Sequence, residues 1–262
     1  ITLEANPGTF EAARFADYRA AGVTRLSLGV QSFNDQALAA IGRIHGGTEA
    51  RAAAEQARGL FDRLNLDLMY GLPGQDLAGL CADIEMVLAC APDHLSAYHL
   101  TLEPNTAFAA APPPLPDDDD SAAMQDWIEA RLAEAGYVHY ETAAFARPGH
   151  YCRHNLNYWQ YGDYLGIGAG AHGKLSGPNG VTRQARVKHP AEYMACAGTP
   201  AAIAEVRQVG RKDLAFEFMM NALRLTGGFD PALFGERTGL PPAAIEKPLA
   251  RAEALGLVER EP

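Results

Sequence analysis

Hydrophobic positions along the chain follow two alternating rhythms. Short β-branched or leucine-rich runs at 1–5, 24–30, 64–69 and 94–100 read as strands, and between them 10–21, 34–41, 48–61 and 76–90 carry apolar residues at helical spacing. Thr48 and Asp76 stand where helix N-caps belong. Four such βα units predict part of an α/β barrel, with an open doubly wound sheet still allowed by periodicity alone. The segment APPPLPDDDD (111–120) is stiff and then acidic, as suits a connection that enters a helix at its N-terminus. Asp117 to Asp120 read as a solvated cap, because consecutive carboxylates cannot all converge on one ion. A helix over 119–135 is expected to end at Gly136, with a strand at 137–142 and then an aromatic and glycine-rich stretch at 153–173. Beyond residue 200 the spacing predicts helices at 210–224, 230–237 and 241–255, the outline of a small winged-helix-like module. The expected segments are therefore a barrel part at 1–110, a barrel-closing segment and linker at 111–199, and a helical C-terminal domain at 200–262.

Composition narrows the function classes. With 262 residues, 48% of them hydrophobic, the chain is long enough for one large core or two ordinary ones. No run approaches the roughly 18 apolar residues of a membrane helix, and ITLEANPGTF lacks the features of a signal peptide, so a cytoplasmic protein without an integral membrane segment is expected. The first residues read as a strand already under way, which places the expected true start further upstream. A net charge of -10 without a basic stripe argues against a nucleic-acid partner. Cys81, Cys90, Cys152 and Cys196 show no CxxC or CxxxCxxC spacing and read as ordinary buried thiols.

Polar residues at the C-terminal ends of barrel strands point into the mouth of such a fold, whereas the strand interiors are expected to be filled with packed apolar side chains. Glu4, Gln31, Asp67 and Thr101 fit that position, each following or interrupting an apolar run. Singly, each is the ordinary solvated end of a strand; together they form a polar rim. Arg43, in IGRIHG, lies where a guanidinium can hold a carboxylate with two parallel hydrogen bonds, although an arginine there is by default a surface residue. Gly71-Leu72-Pro73-Gly74 predicts a tight turn that lets backbone approach a ligand, which turn geometry alone also explains.

The segments LEANPGT (3–9), GVTRLSLGVQSF (22–33), IGRIHG (41–46), LDLMYGLPGQ (66–75), HLSAYHLTLEPNT (94–106) and HNLNYWQYGDYLGIGAGAH (154–172) occur in one order across nearly the whole chain. Together they resemble the radical S-adenosylmethionine family that contains heme chaperones and oxygen-independent coproporphyrinogen III oxidases. The resemblance implies a partial radical S-adenosylmethionine barrel followed by a small helical domain, and it implies S-adenosylmethionine bound on a 4Fe-4S cluster. By position it assigns Glu4, Gln31, Arg43 and Asp67 to S-adenosylmethionine: Arg43 to the methionine carboxylate, the two acids to ribose hydroxyls or the amino group. Thr101 matches a further contact. The cluster motif CxxxCxxC and the glycine-rich segment that precedes Glu4 in the family are absent from this sequence, and the reading that follows is a chain truncated before residue 1.

Within the family, HNLNYW resembles the HNxxYW motif of the heme-chaperone branch. The resemblance offers His154 as an axial ligand of heme iron, beside Tyr158 and Trp159, whose rings suit a porphyrin face. Taken as bare residues, the same stretch also reads as an asparagine-rich loop that seals a barrel mouth. His172 is a weaker candidate, and His45, His99 and His150 read as ordinary polar or capping residues. The implied function is binding of heme and S-adenosylmethionine and delivery of heme to an accepting protein. The alternatives are an oxidase that decarboxylates coproporphyrinogen III and a cofactor-free protein that binds a partner through 200–262. Whether the chain is an enzyme stays open at this point.

Overall fold

The computed structural model describes residues 1–9 and 12–260, in two compact units that divide between Tyr151 and Cys152. In the first unit the elements run β1 (Thr2–Ala5), α1 (Ala12–Ala20), β2 (Arg25–Gln31), α2 (Asp35–Ala40), α3 (Gly47–Leu60), β3 (Arg63–Tyr70), α4 (Leu77–Ala89) and β4 (His94–His99). After these come α5 (Ala107–Ala110), α6 (Asp118–Glu134), β5 (Val138–Glu141) and β6 (Ala144–Ala146). One sheet of order β1-β2-β3-β4-β6-β5 collects all six strands, the first four parallel and β6 antiparallel to β4. The α/β expectation therefore holds. The first two residues of the expected helix 10–21 lie outside the described residues.

Strand alternation builds the core. Leu26, Leu28 and Val30 of β2, Leu64, Leu66 and Leu68 of β3, and Leu95 of β4 are sealed against the helices. The helices answer with Ala50, Ala53, Ala54 and Ala57 from α3, Ile84 and Val87 from α4, and Met124, Ile128 and Leu132 from α6. Each fully buried leucine contributes about 1.5–3 kcal/mol relative to exposure. The start of α3 lies close on the loop after β2, where a Cβ at Gly47 would collide with the carbonyl of Phe33.

Three local expectations are corrected. Helix α3 is capped at Gly46 and not at Thr48, because the Gly47 N–H finds the Asp35 carboxylate at 2.7 Å and Glu49 takes the Gly46 N–H at 3.0 Å. The strand expected at 137–142 is a hairpin of β5 and β6, and β6 supplies the contact to β4. The strand interiors were expected to be packed with apolar side chains, yet one face of β2–β4 carries the buried polar residues Ser27, Asn65, His94 and Ser96. By contrast Asp76 and Asp117 do cap α4 and α6, accepting from Gly79 and Asp120 N–H groups at 2.8 Å each.

The second unit contains α7 (Arg153–Trp159), β7 (His172–Gly177), β8 (Gly180–Arg186), α8 (Pro190–Cys196), β9 (Ile203–Gln208), α9 (Arg211–Ala222), α10 (Pro231–Thr238) and α11 (Ala243–Ala254). The helical triplet is as expected, but it shares its unit with an antiparallel sheet of order β7-β8-β9 that the hydrophobic pattern did not reveal. One core explains the division at 151/152 in place of boundaries at 110 and 199. Tyr161 and Val181 are buried in the same cluster as Leu214, Phe218, Phe234, Leu240 and Ile245. Likewise α6, β5 and β6 belong to the sheet and core of the first unit.

Candidate cofactor and heme-binding residues

On the inner face of the first sheet the registers bring Glu4 opposite Ser27, Ser27 opposite Asn65, Asn65 opposite His94 and Asp67 opposite Ser96. These side chains form a connected set. Asn65 Nδ2 donates to Ser27 Oγ at 2.7 Å and to Asp67 Oδ1 at 2.8 Å. Ser27 Oγ donates to Asp67 Oδ2 at 3.3 Å, and Ser96 Oγ donates to Asn65 Oδ1 at 3.2 Å. His94 closes the set, with Nδ1 2.5 Å from Asn65 Oδ1 and Nε2 2.7 Å from the Tyr140 hydroxyl. Burial, reinforced by the charge of Arg25, pushes His94 down to about 3, so the ring is neutral at pH 7. Burial also pushes the Asp67 carboxyl up, hydrogen bonds from Asn65, Ser96 and Ser27 pull it back, and the nearby Glu4 charge adds to the rise.

A second group lies at the end of β2. Gln31, the last residue of that strand, is buried and takes a positive φ of 69° where the β2–β3 register slips. Its amide and that of Asn6 flank Gly29, so closely that a Cβ there would stand 3.0 Å from both Gln31 Nε2 and Asn6 Oδ1. Arg43 Nη1 donates to the same Asn6 Oδ1 at 3.1 Å. The guanidinium is aimed by the way α2 ends: Gly42 takes φ 72°, its N–H bonds the Ala39 carbonyl and the Arg43 N–H bonds Leu38, a Schellman closure. Asp83 of α4 fixes the following loop, accepting from Ser32 Oγ and the Phe33 N–H at 2.7 Å each. Burial pushes its carboxyl up.

The structure thus gathers Gln31 and Asn6 about Gly29, with Arg43 bonded to Asn6, and sets Glu4 of β1 near Asp67 of β3 across the intervening β2. Asp67 sits within β3 and not at its end. Thr101 follows β4, is exposed, and its hydroxyl donates to the His99 carbonyl at 3.4 Å. Asn6, Asn65, His94, Ser96, Tyr140 and Asp83 were missed by sequence reasoning. The available signal was the period of two in LNLDL and HLSAY, where polar residues alternate with sealed apolar ones. His45, read as an ordinary polar or capping residue, is buried with Nε2 3.1 Å from the Val30 carbonyl.

In the second unit His154 lies exposed on α7, its ring edge-on to Tyr158 at 4.7 Å; Tyr158 is edge-on to Tyr164 at 4.5 Å. Helical spacing of four explains the first contact. Trp159 turns elsewhere, with the Arg224 guanidinium 4.3 Å over its ring. The motif therefore brings His154 and Tyr158 together and leaves Trp159 outside the pair. Lys174, buried, steadies the loop after α7 by donating to the Tyr161 carbonyl at 2.9 Å and Asp163 Oδ1 at 3.0 Å. His172 opens β7 at an exposed position.

Among the described residues no group of three or more His, Cys, Asp or Glu side chains is placed to hold a metal ion. The four cysteines are free and scattered; Cys90 and Cys152 are buried as expected while Cys81 and Cys196 are part-exposed, and burial pushes the Cys90 thiol up, away from the thiolate a cluster needs. The donor set here does not fit a 4Fe-4S cluster. It does fit a polar adenosyl ligand, which calls for carboxylate acceptors beside an amide and a guanidinium. No helix of the described residues is long and apolar enough to cross a membrane.

Comparison with known proteins agrees with this architecture. Residues 1–87 match the Radical SAM superfamily and 209–262 match the HemN C-terminal domain. The chain is 47% identical over 258 residues to heme chaperone HemW of Escherichia coli (strain K12), covering 98% of this chain and 67% of that protein. To heme chaperone HemW of Haemophilus influenzae it is 46% identical, covering 94% of this chain and 64% of that protein. A radical S-adenosyl methionine domain-containing protein 1, mitochondrial, of Bos taurus is 42% identical, over 72% of this chain and 44% of its own length. The chain spans about two thirds of the length of these bacterial relatives. Among solved structures, coproporphyrinogen III oxidase (HemN) from Escherichia coli superposes with a TM-score of 0.79 at 24% identity, over 100% of this chain and 64% of that one, a likeness of fold.

Proposed function

Because the chain belongs to the heme chaperone HemW family of radical S-adenosylmethionine proteins, we propose that it binds heme and S-adenosylmethionine and passes the heme to an accepting protein. The observation that supports the heme part is His154: an exposed imidazole, braced edge-on by Tyr158, inside the HNLNYW segment. An imidazole held by a ring and open to solvent can ligate iron, and the Tyr158–Tyr164 pair offers apolar surface for a macrocycle. Trp159, held by Arg224, braces α7 from another side under this reading.

The S-adenosylmethionine part rests on the first unit. Arg43 would pair with the methionine carboxylate, Gln31 would hydrogen-bond beside it, Glu4 and Asp67 would accept from ribose hydroxyls or the amino group, and Thr101 would contribute at the end of β4. When bound, the cofactor supplies one-electron adenosyl chemistry. This chain's residues orient it and shield it, and the thiolates of the cluster are not among them. A cytoplasmic location belongs to the same proposal. Reading the chain as a coproporphyrinogen III oxidase rests on shared fold alone.

Heme titration followed at the Soret band tests the proposal. The wild-type chain is expected to bind with a histidine-ligated spectrum, and His154→Ala to weaken binding roughly tenfold or more with a shifted band. An identical band and affinity in the variant would remove His154 as ligand.

A further inference from the structure

The hydrogen bonds around Asp67 all run toward it. Asn65 gives its amide protons to Ser27 and Asp67, so its Oδ1 is the atom that meets His94 Nδ1. That ring nitrogen must therefore carry the proton, which leaves Nε2 to accept from the Tyr140 hydroxyl. Tyr140 is locked in turn by stacking on Tyr151 at 4.4 Å. The sequence of donors is Tyr140 to His94 to Asn65 to Asp67, with Ser27 adding a second bond to the carboxylate. Every member of this set is sealed from solvent except its terminus, Asp67. A polar set serving only as filler has no need to converge on its one accessible carboxylate.

We infer that Asn65 and His94 are positioning residues that hold the Asp67 carboxylate ionised and aimed at the hydroxyl or ammonium donors of bound S-adenosylmethionine. This rests on the reading of Asp67 as a cofactor contact. The groups that face Asp67 are Glu4 from β1, Ser27 from β2, Asn65 on its own strand and Ser96 from β4; those that face His94 are Asn65, Tyr140 and the charge of Arg25. Glu4 and burial favour the protonated acid, and the three donors oppose them. Removing the donors raises the pH below which the carboxylate is protonated and no longer accepts from the ligand.

The test is S-adenosylmethionine affinity by calorimetry on the full chain from pH 5 to 8, with folding followed by circular dichroism. Asp67→Asn is expected to weaken binding about tenfold at pH 7 and to flatten its acid limb; unchanged binding would overturn the assignment of Asp67 itself. His94→Leu and Asn65→Leu are expected to move the acid limb upward by about one pH unit. His94→Asn, whose amide can still donate to Asn65, is expected to restore it. If Asp67→Asn weakens binding while the acid limb stays in place in the folded leucine variants, the positioning role is overturned and the Asp67 contact survives. Should Asn65→Leu fail to fold, the comparison of His94→Leu with His94→Asn decides the same question, and Ser27→Ala is expected to give a smaller shift of the same sign.

Discussion

The two faces of strands β2, β3 and β4 are both buried at their centres and built on opposite principles. Toward the helices stand Leu26, Leu28, Leu64, Leu66, Leu68 and Leu95, all at 0% exposure; toward the interior stand Ser27, Asn65, His94 and Ser96, none above 7%. Burial therefore does not separate them. On the leucine face each side chain contributes by leaving water, and its neighbours tolerate small changes independently. On the polar face these four groups have been stripped of water and must be compensated by partners, so removing one member leaves others unsatisfied. The first face carries stability. The second carries orientation, and it is where a ligand would meet the fold.

The largest expected effect lies on the leucine face. Leu66→Ala removes most of a fully buried side chain between β2 and β4, and a loss of about 2–5 kcal/mol is expected in urea unfolding at pH 7. Ser96→Ala, at the same depth on the other face, deletes one hydroxyl that donates at 3.2 Å, and about 1 kcal/mol is expected. Equal losses from the two would dissolve the contrast between the faces.

Acid separates the faces in a second way, since only one of them titrates. His94 sits at about 3 in the folded chain against 6.5 as a free side chain. A histidine held neutral by the fold takes up its proton first in the unfolded chain. Stability is thus complete above the unfolded value and declines as pH falls from about 6.5 toward 3, by up to about 1.4 kcal/mol per pH unit. The raised carboxyls of Asp67 and Asp83 act with the opposite sign, because the folded state protonates them first. Comparing wild type with His94→Asn between pH 6.5 and 4 cancels those contributions. The variant's stability is expected to fall less steeply with acid, and parallel curves would mean that His94 is charged in the fold.

Much of this was legible in the sequence and the rest has a physical reason for being hidden. The leucine runs gave all four parallel strands, because one sealed face forces apolar residues at every second position, as in LSLGV and LNLDL. The same runs carried the polar face in their alternate positions. Asp67 stood out as a charge, whereas Asn65, Ser27 and Ser96 are residue types that sheet ends and turns also use, so single positions carried no signal. Strands β7–β9 were missed because KLSG, VTRQAR and EVRQ are mostly polar or part-exposed, with Val181 the one sealed apolar residue among them, so no alternation marks them as strands. The motif order pointed to Glu4, Gln31, Arg43 and His154, but it could not show that Asn6 holds Arg43 and lies with Gln31 about Gly29, or that Trp159 turns away from His154.

The smallest expected effect tests whether orientation at the rim is set by backbone. Gly42 takes φ 72° with nothing within 4 Å of where a Cβ would stand, so Gly42→Ala meets no collision and incurs only the cost of a left-handed conformation, about 1 kcal/mol. That strain falls on the turn whose Arg43 N–H bonds Leu38 and whose side chain reaches Asn6. If Arg43 is aimed by this closure, relaxing the turn moves the guanidinium, and S-adenosylmethionine affinity is expected to fall severalfold while the melting temperature drops by only a few degrees. The leucine face predicts the reverse ratio, since strain there would register in stability and leave the ligand untouched. A variant that melts earlier yet binds as wild type would show that Arg43 finds its place without the turn.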